Sequence, residues 1–324
     1  MSKTSPVTVV LVGPTATGKS SLAIELALRY GAAGRPAEVI NADSMLLYRG
    51  MDIGTAKPSV AERRGVRHHL LDVLDVKQTS TVADFQRLAR GAIRACRSRH
   101  VVPIVVGGSA LYVRAIVDDF RFPGTDPALR TELESQLARI GAAALHNRLA
   151  VEDPAAAATI EPGNGRRIVR ALEVVKLTGR PYAATLPART YLLPDVCQIG
   201  LEIDRAELDQ RVAARVRRMW EAGLVEEVRQ LAAAGLREGR TASRALGYRQ
   251  VLDHLAGLIT EAEAEDQTIQ ATRRFARRQD AWFRKDPRIL WLGYDDLELV
   301  DMAYTLAGPE GTGQPAARLT PAGP

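Results

Sequence analysis

Five short apolar runs recur along the chain, and between them the apolar spacing changes from continuous to every third or fourth residue. Val7-Thr8-Val9-Val10-Leu11-Val12 shows no polar alternation, the pattern of a parallel strand buried on both faces. Ala37–Ala42, Val101–Val106, Val196–Asp204 and the stretch Arg288-Ile289-Leu290-Trp291-Leu292 read the same way. Helical spacing begins in Ser21–Leu28 and returns in Thr81–Arg99, where Val82, Phe85, Leu88, Ala92 and Ile93 share one face. A third helix starts at Ala110. Strand and helix in alternation predict an α/β protein with a parallel sheet.

From about Phe120 the pattern changes. Arg121–Ala188 carries Pro, Gly and Ala clusters and helical stretches such as Leu129–Ile140, without a convincing buried strand. We read residues 120–190 as a helical insertion that divides the core into residues 1–119 and 191–306. After the fourth strand, one long helix is expected over Arg205–Ala234, stopped by Gly235, and another over Ala271–Lys285. Ala307–Pro324, rich in Gly, Pro and Ala, is expected to be a disordered tail.

The first strand runs into Gly13-Pro14-Thr15-Ala16-Thr17-Gly18-Lys19-Ser20, which fits G-x-x-x-x-G-K-[ST]. In the order strand, loop, helix, such a segment closes backbone N–H groups around phosphate oxygens at a positive helix N-terminus. Lys19 supplies a cation for the outer phosphates, and the Ser20 hydroxyl is suited to holding Mg²⁺. The fold class implied is a P-loop NTPase-like parallel sheet with a helical insertion. In that fold the strand ends gather at one edge, so Asp43, just past the second strand, faces the same crevice as Lys19. There it can hold a metal, orient a substrate, take a proton, or merely cap the next turn.

Met45–Pro58 has no clean period and reads as a functional loop over the crevice. Ser109 either caps the helix that follows Gly107-Gly108 or presents its hydroxyl to the crevice. His68 and His69 are adjacent, so on a strand they point to opposite faces, and no third ligand is spaced nearby; structural roles are expected.

Composition narrows the class. At 324 residues with 46% hydrophobic and 25% charged residues, the chain is an ordinary globular protein of one or two domains. Its formal net charge of +6 favours polyanionic partners. Two distant cysteines, Cys96 and Cys197, suggest neither a disulfide framework nor a zinc site and fit a reducing cytoplasm. No run reaches the ~20 apolar residues of a membrane span. The arginines fall in clusters. Arg166, Arg167 and Arg170 surround a helix start; Arg211, Arg215 and Arg218 recur along one helix side; Arg273 with Arg277 and Arg274 with Arg278 form rows. Ser243–Gln250 combines Arg244 and Arg249 with Tyr248, a pairing used against single-stranded nucleic acid. Each arginine cluster is compatible with phosphodiester contact or with a solvated face.

A P-loop ordinarily predicts nucleotide use, ATP hydrolysis or phosphoryl transfer. This chain has no Asn-Lys-x-Asp, and the strand at Val101–Val106 ends in Gly107-Gly108-Ser109 where an NTPase needs an acid. With Tyr48–Pro58, His68–Asp72, Gly107–Tyr112, Arg167–Glu173, Gly247–Gln250 and Arg277-Arg278-Gln279 in order, the chain resembles the tRNA dimethylallyltransferase family over roughly residues 7–295. The resemblance implies transfer of a dimethylallyl group from dimethylallyl diphosphate to N6 of the adenosine 3′ of the anticodon, with Mg²⁺. It implies Gly13 to Ser20 as the diphosphate cradle, with Lys19 and Ser20 catalytic, Ser20 on the metal and Asp43 as the acid–base residue. It further implies Asp43, Ser44, Met45 and Leu46 at the adenosine, and Ser109, Arg130, Arg166, Arg167, Arg170, Arg244, Gly247, Tyr248 and Arg249 at the tRNA anticodon stem-loop. Leu46 departs from the family's usual Gln, and the zinc finger of eukaryotic relatives is missing, as in the bacterial form. A cytoplasmic monomer is expected. The rival readings are a small-molecule P-loop kinase and a non-catalytic RNA-binding module.

Overall fold

The computed structural model describes residues 7–182 and 188–308. The chain divides into two compact units, one formed by the chain up to Asp118 and from Tyr191 onward, the other by Asp119–Thr190.

The first unit is built on six strands, β1 (Thr8–Val12), β2 (Ala37–Asn41), β3 (His68–His69), β4 (Val102–Val106), β5 (Val196–Glu202) and β6 (Ile289–Gly293). They form one sheet in the order β3-β2-β4-β1-β5-β6, with every pairing parallel. The helices of the first stretch of chain are α1 (Lys19–Ala32), α2 (Val82–Ser98) and α3 (Ala110–Val117). The second unit contributes α4 (Pro127–Glu152), α5 (Pro154–Thr159) and α6 (Gly165–Thr178). The chain then returns through α7 (Arg205–Glu221), α8 (Leu224–Ala233), α9 (Tyr248–Leu255), α10 (Glu261–Phe283) and α11 (Leu299–Ala307).

Strand β1 is the middle of the sheet, and its side chains alternate between two buried faces. Val9 and Leu11 pack with Leu22 and Leu26 of α1 and with Ala303 of α11. Val10 and Val12 pack with Phe85 and Ile93 of α2, Val113 of α3 and Phe283 of α10. Burial of both faces explains why the run is continuously apolar; each fully buried aliphatic contributes about 1.5–3 kcal/mol relative to exposure. Parallel pairing brings the C-terminal ends of β1, β2 and β4 to one edge, where Gly13, Asp43 and Gly107 follow them. A third cluster places Tyr48 and Met51 against Leu224, Val228, Tyr248 and Val251, so the Met45–Pro58 segment rests on α8 and α9.

The structure departs from the sequence expectations in several places. Arg205–Ala234 is two helices, broken where Gly223 takes a left-handed conformation (φ 96°). The helix expected over Leu129–Ile140 continues to Glu152 across a non-helical Gly141. A helix not foreseen, α11, packs on the sheet and ends at Ala307, the first residue of the expected tail; 309–324 lie outside the described residues. The second unit has its own core of Leu133, Leu145, Leu149, Ile168 and Leu172. Among the described residues no helix is long and apolar enough to cross a membrane.

Candidate functional site

The loop after β1 is shaped before any ligand arrives. The Thr17 hydroxyl donates to the Pro14 carbonyl at 3.0 Å, and the Lys19 ammonium donates to the same oxygen. Ala16 is held in the left-handed region (φ 69°), and its carbonyl accepts from Arg211 Nε on α7 at 2.9 Å. Arg211 is itself steadied over the Tyr294 ring, 4.7 Å from its centre. Gly18 precedes α1, so the first N–H groups of that helix open toward the loop. Lys19 is buried. Burial, and secondarily the Arg215 guanidinium, bring its ammonium down to about 7, while Asp43 acts in the opposite sense. An anion in the loop would restore the full charge.

Asp43 is fixed by Asn41 at the end of β2. Asn41 accepts from the Asp43 backbone N–H and donates to the Asp43 carbonyl, each at 2.7 Å, and also donates to the Leu70 carbonyl at 2.9 Å. One Asp43 carboxylate oxygen, Oδ1, accepts the Met45 N–H at 2.9 Å, capping the short turn Met45–Leu47. The other carboxylate oxygen has no protein hydrogen bond among the described residues. Both roles left open by the sequence, turn cap and crevice group, are therefore compatible in one side chain.

Lys19, Ser20 and Asp43 line one crevice with Asn41, Arg215 and Gln279, and Leu46, Leu71, Val106 and Phe275 supply apolar wall. Arg215 donates to the Thr55 carbonyl at 3.3 Å. Burial weakens its hold on its proton, while Asp43 opposes this. The Ser20 hydroxyl is an oxygen donor of the kind that suits Mg²⁺, which keeps several waters and takes phosphate oxygens as further ligands. The crevice thus offers cations, a metal-compatible hydroxyl, a carboxylate and an apolar wall.

The Met45–Pro58 segment is ordered by buried charge. Lys57 donates to the Tyr48 carbonyl at 2.8 Å and pairs with Asp52 at 2.6 Å and Asp72 at 2.5 Å. Glu227 accepts from the N–H groups of Asp52, Ile53 and Gly54 at 3.1, 2.7 and 3.3 Å. These contacts set Thr55, Ala56 and Pro58 at the crevice.

The remaining expected residues separate into groups. Ser44, Met45 and Leu46 lie on or beside the turn after Asp43, half-buried, with Leu46 on the crevice. Ser109 precedes α3 but its side chain makes no capping bond. Arg244 and Arg249 are exposed and line a second depression with Arg237 and Asp253. Tyr248 corrects the sequence reading. It begins α9, is fully buried, and donates to Glu227 Oε1 at 2.6 Å, so its ring is not offered to a base; Gly247 caps the same helix. In the second unit, Arg166 and Arg167 are exposed on the first turn of α6. Arg130 and Arg170 instead converge on the fully buried Glu173, at 3.3 and 2.8 Å, and Arg170 also donates to the carbonyls of Pro123 and Gly124.

The histidine pair keeps the structural role expected of it, although a third donor does lie close to His69. His69, on the short edge strand β3, meets Glu38 at 2.6 Å, and Cys96 lies within 4.8 Å of both, so a third donor is present. Arg99 already binds both Glu38 oxygens at 2.9 and 2.7 Å, holding that carboxyl down at about 2, and burial pushes the Cys96 thiol up to about 12. A compensated carboxylate beside a protonated thiol is a structural ion-pair cluster, not a metal centre. His68 bonds the Val66 carbonyl at 2.9 Å and borders the crevice.

A family model described as IPP transferase matches residues 46–286. The chain belongs to the IPP transferase family. A tRNA dimethylallyltransferase of Thermobifida fusca is 61% identical over 298 residues, covering 92% of this chain and 93% of that protein. The crystal structure of a tRNA isopentenylpyrophosphate transferase from Bacillus halodurans superposes with a TM-score of 0.68 at 39% identity, covering 94% of this chain and 97% of that one. A eukaryotic dimethylallyltransferase, captured acting on tRNA, gives a TM-score of 0.78 at 26% identity over 96% of this chain and 81% of its own. Within this IPP transferase fold, Arg215 and Gln279 were not singled out as crevice residues by sequence reasoning. The available signal was phase. Arg215 shares a helix side with Arg211, which grips the loop, and Gln279 follows Phe275 by one helical turn on the buried side of α10.

Proposed function

We propose that this chain transfers the dimethylallyl group of dimethylallyl diphosphate to N6 of the adenosine 3′ of the anticodon in tRNA, releasing diphosphate. The observation that carries the reading is the meeting of Lys19 and Ser20, at the start of α1, with Asp43, after β2, at one crevice with an apolar wall, in a member of the IPP transferase family. The names of its relatives favour this over the kinase alternative, as does the wall of Leu46, Leu71 and Phe275, which suits a five-carbon chain.

In this reading the loop Gly13–Ser20 cradles the diphosphate, with Lys19 and Arg215 balancing its charge. Ser20 would hold Mg²⁺, which would supply further neutralisation of the diphosphate. The adenine enters unstacked, more easily from an anticodon loop than from a duplex. Its N6 forms a bond to the allylic C1 as the C1–O bond breaks and the electron pair leaves with diphosphate. The proton displaced from N6 passes to the carboxylate oxygen of Asp43 that the backbone leaves unoccupied. Arg244 and Arg249, with the exposed first turn of α6, meet tRNA phosphates. The site of action is the cytoplasm and the working unit is a monomer.

Incubation with labelled dimethylallyl diphosphate and bulk tRNA should transfer label to RNA with equimolar diphosphate release. Brisk ATP turnover without RNA, with no use of the allylic donor, would return the kinase reading.

A further inference from the structure

Gln279 is a neutral side chain, 6% exposed, that reaches from α10 into the crevice and uses both ends of its amide. Its Oε1 accepts the Thr15 backbone N–H of the phosphate loop at 2.9 Å, and its Nε2 donates to the Gly108 carbonyl after β4 at 2.7 Å. Among the described residues it is the side chain that ties the loop after β1 to the loop after β4. Only an amide of this length supplies an acceptor to one backbone and a donor to the other. The Thr15 N–H is occupied by this bond, which leaves the other loop amides to meet a phosphate.

Gly108 completes the arrangement. A Cβ there would fall 2.2 Å from Gln279 Nε2, closer than non-bonded atoms approach, and the chain at Gly108 does not need the left-handed conformation. The glycine therefore leaves room for the amide in its bonded position and is not demanded by its own backbone.

We infer that Gln279 is a positioning residue that holds the phosphate loop in its anion-binding shape by bridging Thr15 to Gly108, where the absence of a Cβ leaves room for its amide. The inference rests on the proposed use of that loop for a diphosphate. It assigns Gln279 no contact with the reacting atoms. It also makes α10 a strut of the donor site, in addition to the arginines that it carries on its other side, Arg274, Arg277 and Arg278.

The test is calorimetric binding of inorganic pyrophosphate with Mg²⁺, without tRNA, alongside steady-state kinetics. Gln279→Met keeps the volume and removes both bonds; it should weaken pyrophosphate binding about tenfold and raise the donor KM similarly, with the tRNA KM unchanged, because the loop must be ordered at the ligand's expense. Gln279→Glu keeps the acceptor but sets a carboxylate against the Gly108 carbonyl and should be at least as weak. Gly108→Ala should weaken binding about tenfold alone, yet less than about twofold when added to Gln279→Ala, where the space is open. Unchanged pyrophosphate affinity in Gln279→Met, with only a lowered Tm, would reduce the residue to packing and overturn the inference. Additive effects of Gly108→Ala and Gln279→Ala would overturn the coupling of the two positions. Failure of the wild-type protein to bind pyrophosphate would remove the diphosphate reading, and the positioning role with it.

Discussion

The two units treat buried charge in opposite ways. At the crevice, Lys19 is buried with its ammonium depressed to about 7, a second cation, Arg215, stands nearby, and Asp43 keeps one carboxylate oxygen without a protein partner. In the second unit, buried Glu173 is fully committed, accepting from Arg130, from Arg170 and from the Asp126 backbone N–H. Desolvation is costly in both places. In the helical unit it is offset inside the protein, so the charges fix α4 against α6; at the crevice the offset is left to a ligand. Buried charges therefore serve different ends, and the difference lies in whether a partner is already present.

The comparison breaks most sharply at Asp43. Asp43→Ala should lower the single-turnover rate of transfer by about 10² or more while tRNA affinity stays within a few-fold, because a proton acceptor is lost from the transition state and not a binding contact. An unchanged rate would put Asp43 among the structural charges. Glu173→Ala should do the converse. Removing one member of a buried ion group typically costs about 3–5 kcal/mol, and here about 2 kcal/mol is expected because Arg130 and Arg170 are partly exposed and can regain water. Chemical denaturation should show it, with the donor KM unmoved. A changed donor KM and unchanged stability would reverse the assignment.

Lys19 sharpens the same contrast through pH. Its ammonium lies near 7 in the ligand-free cradle, below the usual lysine range, and a bound diphosphate raises it again. Binding above pH 7 must therefore take up a proton, and affinity should fall by up to about tenfold per pH unit as the medium becomes more alkaline; below pH 7 the lysine is already charged and contributes no uptake. Calorimetry in buffers of different ionisation heat should find uptake approaching one proton at about pH 8.5, and Lys19→Arg should abolish it, since guanidinium does not titrate there. Equal uptake by wild type and Lys19→Arg would mean that the lysine is charged in the empty loop.

Much of the first unit was legible in the chain because a strand buried on both faces lacks polar alternation, as Val7–Val12 and Val101–Val106 do, and because a phosphate loop has to connect such a strand to a helix. What was not legible depended on elements folding back. Gly223 reads as an isolated glycine in a helical pattern, and its left-handed conformation shows only in three dimensions. Tyr248 sits among arginines in sequence, yet the phase of α9 turns it onto Glu227 and the Met51 segment. His69 gains Glu38 and Cys96 only because β3 pairs with β2 and α2 ends beside them. Arg215 and Gln279 reach the crevice from α7 and α10, 195 to 264 residues from the loop atoms that these two helices bond.

The smallest effect asks whether an exposed arginine and a committed one can be told apart by salt. Arg244 is exposed beside Arg237 and Arg249, whereas Arg170 is bonded to Glu173, Pro123 and Gly124 within its own unit. A phosphate contact releases condensed counterions, so its removal should flatten the dependence of log affinity on log salt by about 0.7–0.9. Arg244→Ala should show that change in tRNA binding. Arg170→Ala should lower the stability of the helical unit and leave the slope as in wild type, because its charge is already balanced by a buried carboxylate that would otherwise be stranded. If both variants flatten the slope equally, the partners seen in the RNA-free protein are exchanged for phosphate on binding, and the second unit, like the crevice, holds its charge in reserve for a ligand.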